Sequence, residues 1–100
     1  MLRVITLNLN GIRSATAKGF LRWLARQKAD VVCVQELKAQ AADMTAEMLA
    51  PHGFSAHFHY AEKKGYSGVG LYSRHRADRM SEGMGVREFD AEGRYVRADF

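Results

Sequence analysis

The sequence contains a single cysteine, a single proline and no long apolar run. Cys33 cannot form an internal disulfide, which excludes a disulfide-stabilised secreted scaffold. The scarcity of proline, together with 47% hydrophobic and 26% charged residues, excludes a disordered or low-complexity chain. The longest aliphatic run, VVCV at 31–34, is far shorter than the roughly 20 residues of a membrane helix. The first residues also lack the apolar core of a signal peptide, so we expect no membrane span and a cytoplasmic protein.

The length and the charge distribution limit the possible classes further. One hundred residues are enough for one domain at most. Residues 1–38 hold seven Lys and Arg against two acids, and residues 39–62 hold three acids and no Lys or Arg. Residues 63–100 hold eight Lys and Arg against six acids, which brings the net charge to +4. The two basic blocks indicate a polyanionic partner without requiring one.

The first third of the chain has the pattern of a strand, a helix and a second strand. The alternating, β-branched segment RVITLNL predicts a strand over residues 3–9, followed by a turn at Asn10-Gly11 and a loop, GIRSAT. Apolar residues at helical spacing then predict an amphipathic helix over 16–28. The continuous apolar run VVCVQE, at 31–36, predicts a strand buried on both faces, with Cys33 as a small core residue. Together these elements predict a βαβ unit.

The rest of the chain predicts shorter elements. DMTAEMLA predicts a short helix with Asp43 as its N-cap. FSAHFHY and YSGVGLYS predict two strands joined as a hairpin by AEKKG, at 61–65. Residues 74–93 are predicted to form a loop with short strand content, and RYVRADF predicts a final strand. Because that strand reaches Phe100 without a turn or cap, we expect the domain to continue beyond it.

Polar side chains follow the two strands of the predicted βαβ unit. Asn8 and Asn10 lie at the carboxyl end of the first strand, and Gln35 and Glu36 lie at the carboxyl end of the second. Both ends meet at one edge of the sheet, where ligands bind. A carboxylate beside amide oxygens suits a hard cation such as Mg²⁺. The alternative is that Glu36 is a solvated acid and that the asparagines serve a turn.

Three further features could indicate a binding or catalytic site: a pair of histidines, a group of glycines and a tyrosine. His57 and His59 alternate on one predicted strand, but no cysteine or acidic cluster lies nearby, so two half-exposed histidines are a simpler interpretation than a zinc site. The glycines of GYSGVGL have neither dinucleotide-binding nor P-loop spacing, and Gly68 and Gly70 indicate close approach of a backbone or a ligand. Tyr66 has the chemistry to contact a phosphodiester or a base, or it packs within a hairpin.

Three motifs, LNLNGIRSA, DVVCVQELK and GYSGVGLYSR, resemble the amino-terminal part of the exonuclease III family of AP endonucleases. The later EFDAEGRYVRADF resembles the strand that follows an acidic, glycine-containing loop in the same family. The resemblance covers essentially all 100 residues in the right order. It implies an α/β fold that is part of a four-layered α/β sandwich, the endonuclease/exonuclease/phosphatase fold. Residues 1–100 would form the amino-terminal portion of a single domain, less than half of it.

The resemblance also assigns roles to residues. Asn8 and Glu36 would be catalytic and would bind the metal, which is Mg²⁺ or alternatively Mn²⁺. Asn10 occupies a position where some members have Asp, and Lys38 would belong to the electrostatic surroundings of the site. The DNA-binding residues of the family correspond to Arg13, Ser14 and Lys18 in a first loop and to Gly65 and Tyr66 in a second.

The implied function is a Mg²⁺-dependent DNA repair nuclease that incises double-stranded DNA at abasic sites and trims 3′ ends, without an obligate protein partner. The family elements Tyr-Val-Pro-Asn, Asp-x-Asn and Ser-Asp-His, which include the water-activating Asp and the catalytic His, have no counterpart in these residues. The chain alone is therefore predicted to be inactive. Two alternatives remain open: a noncatalytic nucleic-acid-binding module, and a phosphoesterase of the same fold that acts on a small or lipid phosphate.

Overall fold

The chain alternates strands with short helices in a computed structural model that describes residues 1–100. None of its helices is both long enough and apolar enough to cross a membrane. The elements, in chain order, are β1 (Val4–Asn8), α1 (Ile12–Ala17), α2 (Phe20–Arg26), β2 (Val31–Gln35), a 3₁₀ helix (Ala41–Asp43), α3 (Ala46–Leu49), β3 (Ser55–His59), β4 (Val69–Ser73), β5 (Arg79–Glu82), α4 (Arg87–Asp90) and β6 (Val96–Asp99).

The strands form a four-stranded sheet in the order β1-β2-β4-β3 and a separate two-stranded sheet of β5 and β6. β1 and β2 are parallel neighbours, with Asn8 opposite Gln35, whereas β4 pairs antiparallel with both β2 and β3. The predicted βαβ unit is confirmed. Its parallel pairing brings the carboxyl ends of β1 and β2 to one edge of the larger sheet.

The predicted loop at 11–16 and the predicted continuous helix over 16–28 are wrong. The chain forms two helices instead, because Gly19 adopts a left-handed conformation with φ of +102° between them. Such a conformation is tolerated by glycine and interrupts a helix. Ile12, which is fully buried, anchors the first helix in the core. Arg13 and Ser14 consequently lie on a helix, and Lys18 lies directly after it.

Two smaller expectations also need correction. Asp43 is not the N-cap of α3; its carboxylate accepts from the Gln40 backbone N–H at 2.9 Å, within the 3₁₀ helix. The cap is Thr45, whose hydroxyl accepts from the Met48 backbone N–H at 3.2 Å. β3 and β4 pair as expected, but β4 begins at Val69, so residues 60–68 connect them.

Helices α1, α2 and α3 pack on one face of the larger sheet and form the core with it, whereas α4 buries no residue. Tyr72 is fully buried there, and its hydroxyl donates to the Met48 carbonyl oxygen at 2.8 Å. The core consists of Leu9, Ile12, Phe20, Leu21, Leu24, Ala29, Val32, Val34, Leu37, Ala39, Met48, Phe54, Phe58 and Tyr72. Cys33 alternates with Val32 and Val34 along β2, so it lies on the opposite face and is only partly buried rather than a core residue.

The small sheet contacts β3 through the two histidines considered above. The Nε2 atom of His57 lies 3.5 Å from the Glu82 carboxylate, and the Nδ1 atom of His59 lies 2.8 Å from the Tyr95 carbonyl oxygen. No group of three or more His, Cys, Asp and Glu side chains is arranged to hold a metal ion. His59 therefore bonds β3 to the segment that leads into β6, whereas His57 lies beside Glu82 without a hydrogen bond.

Candidate metal and nucleic-acid site

Asn8 and Glu36 meet at the edge of the sheet where β1 and β2 end. The Asn8 amide nitrogen donates to the Glu36 carboxylate, and the Asn8 amide oxygen accepts from the Asn10 backbone N–H at 2.9 Å. Asn8 lies on β1, and Glu36 follows the last residue of β2. The structure thus brings together the two residues that the sequence placed at one edge.

Backbone hydrogen bonds fix this edge. They join the turn after β1 to the segment after β2, and that segment to the loop before β4. The bonds are Gly11 N–H to Glu36 carbonyl at 2.8 Å, Ile12 to Leu37 at 2.9 Å, Leu37 to Gly68 at 3.1 Å and Lys38 to Ser67 at 2.8 Å. Three chain segments that are distant in sequence are therefore held in one rigid unit around Glu36.

The same edge contains three non-glycine residues in the left-handed region. Asn10, Glu36 and Lys38 have φ values of +48°, +54° and +50°. A left-handed conformation costs a non-glycine residue about 1–2 kcal/mol, and it persists where the surrounding structure determines it. Strained residues of this kind concentrate at functional sites. Their grouping therefore favours this edge of the sheet as the functional site.

The electrostatics of the edge favour a charged Glu36. The hydrogen bond from Asn8 holds the pKa of the Glu36 carboxyl below its usual value, and the positive charges of Lys38 and Arg94 act in the same direction. The Lys38 ammonium lies 3.6 Å from Glu36 Oε1 and donates to Asn10 Oδ1 at 2.6 Å. Glu36 is thus an oriented and ionised carboxylate at neutral pH.

The donor set at this edge fits a hard cation. Glu36 supplies one exposed anionic ligand, and the Asn8 amide oxygen keeps a second lone pair beyond its bond to Asn10. Mg²⁺ characteristically takes one or two carboxylates and keeps water or phosphate oxygens in its other positions. One protein carboxylate therefore suffices for such a site at a phosphate-binding surface.

The first group of predicted DNA-binding residues lies beside Asn8 and Glu36. Ser14 and Lys18 line a surface depression of about 320 Å³ together with Asn8 and Asn10. Arg13 points elsewhere: its guanidinium donates to the Lys38 carbonyl oxygen at 2.8 Å and lies 3.8 Å from the Asp43 carboxylate. The Arg13 side chain remains about half exposed, so it retains donors for a further anion.

The second predicted pair, Gly65 and Tyr66, lies on the loop between β3 and β4. The Gly65 backbone N–H donates to the Gln40 side-chain oxygen at 3.1 Å, and the Gln40 side-chain nitrogen donates to the Lys63 carbonyl oxygen at 2.9 Å. Gln40 therefore holds this loop against the segment that follows β2. Gln40 is not predictable from the sequence, because a single glutamine in a polar stretch carries no pattern.

Two further residues that the sequence analysis missed surround Tyr66. The Tyr66 hydroxyl donates to the Glu92 carboxylate at 3.2 Å and accepts from the Arg94 guanidinium at 2.9 Å. Arg94 also donates to the same Glu92 oxygen, Oε1, at 2.9 Å. In the sequence, Glu92 belongs to the acidic, glycine-containing loop of EFDAEGRYVRADF and Arg94 begins the predicted last strand, and neither carries a pattern that assigns it to a site. Tyr66, Glu92 and Arg94, which we term the tyrosine cluster, lie near enough to Glu36 for the charge of Arg94 to affect its pKa.

The fold of this chain is that of a known family. The profile of the Endonuclease/Exonuclease/phosphatase family matches residues 5–100, and the chain belongs to that family. An AP endonuclease from Archaeoglobus fulgidus superposes with a TM-score of 0.81 at 30% identity, over 98% of this chain and 37% of the other. The catalytic domain of APE2 from Xenopus laevis superposes at 0.82 with 26% identity, over 93% of this chain and 37% of the other.

Sequence relatives confirm the resemblance to exonuclease III-type enzymes. An exodeoxyribonuclease of Bacillus subtilis is 36% identical over 100 residues, which are 99% of this chain and 38% of the relative. A DNA-(apurinic or apyrimidinic site) endonuclease of Dictyostelium discoideum is 28% identical over 99 residues, which are 99% of this chain and 27% of the relative. The chain thus spans well under half the length of these relatives. The α/β fold expected from the sequence is confirmed.

Proposed function

We propose that this chain is the amino-terminal portion of a single nuclease domain and that it supplies the metal-binding part of the active site. The observation that carries the proposal is the Asn8–Glu36 pair, held at a rigid and strained sheet edge beside cationic side chains. The names of the relatives, which are exodeoxyribonuclease and AP endonuclease, support DNA as the substrate. We call the complete polypeptide the parent protein.

The proposed reaction is Mg²⁺-dependent hydrolysis of a DNA phosphodiester at abasic sites and at 3′ ends. Glu36 would hold the Mg²⁺, with Mn²⁺ as a substitute, while Asn8 orients the carboxylate and offers its amide oxygen. The chemistry that a divalent ion held by Glu36 and Asn8 would supply is polarisation of the scissile phosphate and stabilisation of the leaving 3′ oxygen. Lys38 fixes Asn10 and adds positive charge where the phosphate approaches. The groups that activate water would come from the remainder of the parent protein.

Double-stranded DNA is the proposed partner because the cationic and hydrogen-bonding residues extend away from Glu36 in two directions. Ser14 and Lys18 lie on the β1 side, Gly65 and Tyr66 lie on the β4 side, and the half-exposed Arg13 reaches the segment that follows β2 between them. Contacts of this kind to phosphates set affinity and register without reading sequence. We propose these five residues as the DNA-binding residues of this chain.

The test is to incubate the parent protein with three substrates: a duplex with one abasic site, the same duplex undamaged, and an inositol phosphate. We expect Mg²⁺-dependent incision of the abasic duplex, abolished by EDTA and restored by added Mg²⁺. Hydrolysis of the inositol phosphate alone would instead support a phosphoesterase of small or lipid phosphates. Salt-dependent duplex binding without cleavage would support a noncatalytic nucleic-acid-binding module.

A further inference from the structure

The tyrosine cluster is a closed hydrogen-bonded ring of three side chains from two distant parts of the chain. Tyr66 donates to Glu92, Arg94 donates to Glu92, and Arg94 donates to the Tyr66 hydroxyl. All three hydrogen bonds are 2.9–3.2 Å long. Tyr66 precedes β4 and Arg94 precedes β6, so the ring connects the two sheets. These bonds fix the hydroxyl of Tyr66 and the plane of the guanidinium together.

The hydrogen-bonded ring leaves N–H donors of Arg94 free to bind an anion. Arg94 is about half exposed, and an arginine has five N–H donors, of which the ring uses two. The Lys63 ammonium lies 5.2 Å from the centre of the Tyr66 ring, and Arg94 Cζ lies 5.7 Å from it. Both cations lie within the roughly 6 Å over which an aromatic ring attracts a positive charge. Two exposed cationic side chains thus lie beside Tyr66.

The charges in and around the tyrosine cluster are only partly paired. Glu92 accepts two hydrogen bonds, from Arg94 and Tyr66, and these bonds hold its pKa below the usual value. The same contacts raise the pKa of Arg94. Lys63 has no carboxylate within ion-pairing distance, so its charge is not balanced in the way that Glu92 balances that of Arg94. An ionised Glu92 therefore orients Arg94 and balances its charge, and the neighbouring Lys63 makes the cluster and its surroundings cationic.

We propose that Arg94 and Lys63 form a second phosphate-binding site beside Glu36 and that Glu92 is its positioning residue. The inference rests on the proposed function, since the ligand would be a phosphodiester of the DNA strand held at Glu36. An arginine whose plane is fixed in advance loses less side-chain freedom on binding phosphate than a free one. Glu92 thus strengthens binding of an anion although it is itself an anion.

Because Glu92 is an anion, neutralising it should weaken DNA binding if it positions Arg94 and should strengthen binding if it only repels the phosphates. We would measure the affinity of the parent protein for an undamaged duplex in EDTA by fluorescence anisotropy at several salt concentrations. For Glu92→Gln we expect a Kd about tenfold higher, because a neutral amide loses the charge-assisted pair that fixes the guanidinium plane of Arg94. The matched control is Glu88→Gln, an exposed acid on α4. Loss of that acid removes only repulsion, so its Kd should fall slightly or stay constant.

Two arginine variants test the site itself. Arg94→Ala should lower the slope of log K against log salt by about 0.9, the value for one duplex phosphate contact. Arg94→Lys keeps the charge but cannot bond to Glu92, Tyr66 and a phosphate at once, so we expect weaker binding with the slope retained. Tyr66→Phe provides an independent check, because it removes the hydroxyl and keeps the aromatic ring. Its loss of affinity should not add to that of Glu92→Gln.

The outcomes are distinct. Tighter binding by Glu92→Gln, as for Glu88→Gln, would overturn the positioning role, and an unchanged salt slope for Arg94→Ala would overturn the phosphate site. These binding measurements need no cleavage. A wild-type parent protein that binds duplex as described but never cleaves would contradict the proposed function and leave this inference standing. Normal Mg²⁺-dependent cleavage with unaltered binding by all variants would contradict this inference alone.

Discussion

The Asn8 side-chain amide donates a hydrogen bond to the Glu36 carboxylate across the edge where β1 and β2 end. The two residues are 28 positions apart, and the parallel register that places Asn8 opposite Gln35 brings them together. The bond orients the carboxylate and favours its ionised form before any ligand arrives. Such preorganisation lowers the cost of gathering charge around a phosphate.

The first expectation concerns the charge of Glu36. In the parent protein, Glu36→Gln keeps the shape of the side chain but removes the anionic ligand, so Mg²⁺ binding should weaken and turnover should fall by orders of magnitude. Steady-state rates measured over a Mg²⁺ titration test this. Glu47→Gln, an exposed acid on α3, is the matched control and should behave as wild type. An unchanged rate and Mg²⁺ dependence in Glu36→Gln would refute the metal assignment.

The second expectation concerns pH. The Asn8 hydrogen bond is the largest cause of the lowered pKa of Glu36, so Asn8→Ala should let that pKa rise toward its ordinary value. The carboxylate would then be protonated at a higher pH as the solution is acidified. The acidic limb of the profile of kcat/KM against pH should therefore move to higher pH in the variant. An acidic limb at the same pH would show that Glu36 does not control it.

The site was only partly predictable from sequence, for physical reasons. Asn8 and Glu36 were found because strand patterns are local and a βαβ unit has one handedness, which fixes where its strand ends meet. The break at Gly19 was missed because the apolar spacing continues through it. Glu92 and Arg94 were missed because their contact with Tyr66 spans 26 and 28 residues and depends on how the two sheets pack. Isolated charges carry no periodicity that would reveal such a contact.

The third expectation concerns the DNA contacts near Asn8. Replacing both Arg13 and Lys18 with Ala should lower the salt slope of duplex binding by roughly 2, since each phosphate contact contributes about 0.9. The loss of affinity should be similar for duplexes of different sequence. Lys28 is an exposed lysine beyond α2, near the opposite edge of the sheet, so Lys28→Ala should leave the slope unchanged. A wild-type slope in the double variant would place Arg13 and Lys18 away from the DNA.

The fourth expectation concerns Gly70, where the close neighbours are the side chains of Phe58 and Val34 rather than the backbone or ligand that the glycine pattern indicated. A methyl group at Gly70 would overlap the buried ring of Phe58 and lie 3.2 Å from Val34. Gly70→Ala should therefore destabilise the parent protein by about 1–3 kcal/mol, the usual cost of overpacking a core. Urea unfolding measures this. Gly85→Ala is the control without a steric clash, because its added methyl group meets nothing within 4 Å. Only the backbone strain from its φ of +85° remains in that variant.

A double-mutant cycle distinguishes a clash with Phe58 from a general loss of strand stability. If the ring is the obstacle, Gly70→Ala should cost less in a Phe58→Leu background than in the wild type. Equal costs in the two backgrounds would show that the ring does not limit the space at Gly70.

The fifth expectation concerns residues 1–100 expressed alone, which we expect to lack nuclease activity and to be poorly stable. Val4, Met80, Phe89 and Phe100 are all more than a third exposed, and β1 is an edge strand of the larger sheet. If the parent protein covers even ~400 Å² of such apolar surface, its loss removes about 10 kcal/mol, at about 25 cal/mol per Å². That is comparable to the whole stability of a domain, about 5–15 kcal/mol. The exposed edge and apolar residues should then cause dimerisation or aggregation.

Light scattering, thermal unfolding and an assay on an abasic duplex with Mg²⁺ test this expectation together. The expected result is a broad size distribution, no cooperative transition and no incision. The parent protein, which contains the same residues in their complete setting, is the control and should be monodisperse and active. A monodisperse, cooperatively melting fragment would show that residues 1–100 need no further chain to fold. Robust incision by that fragment would show that the water-activating groups lie within these residues, contrary to the proposed division of the active site.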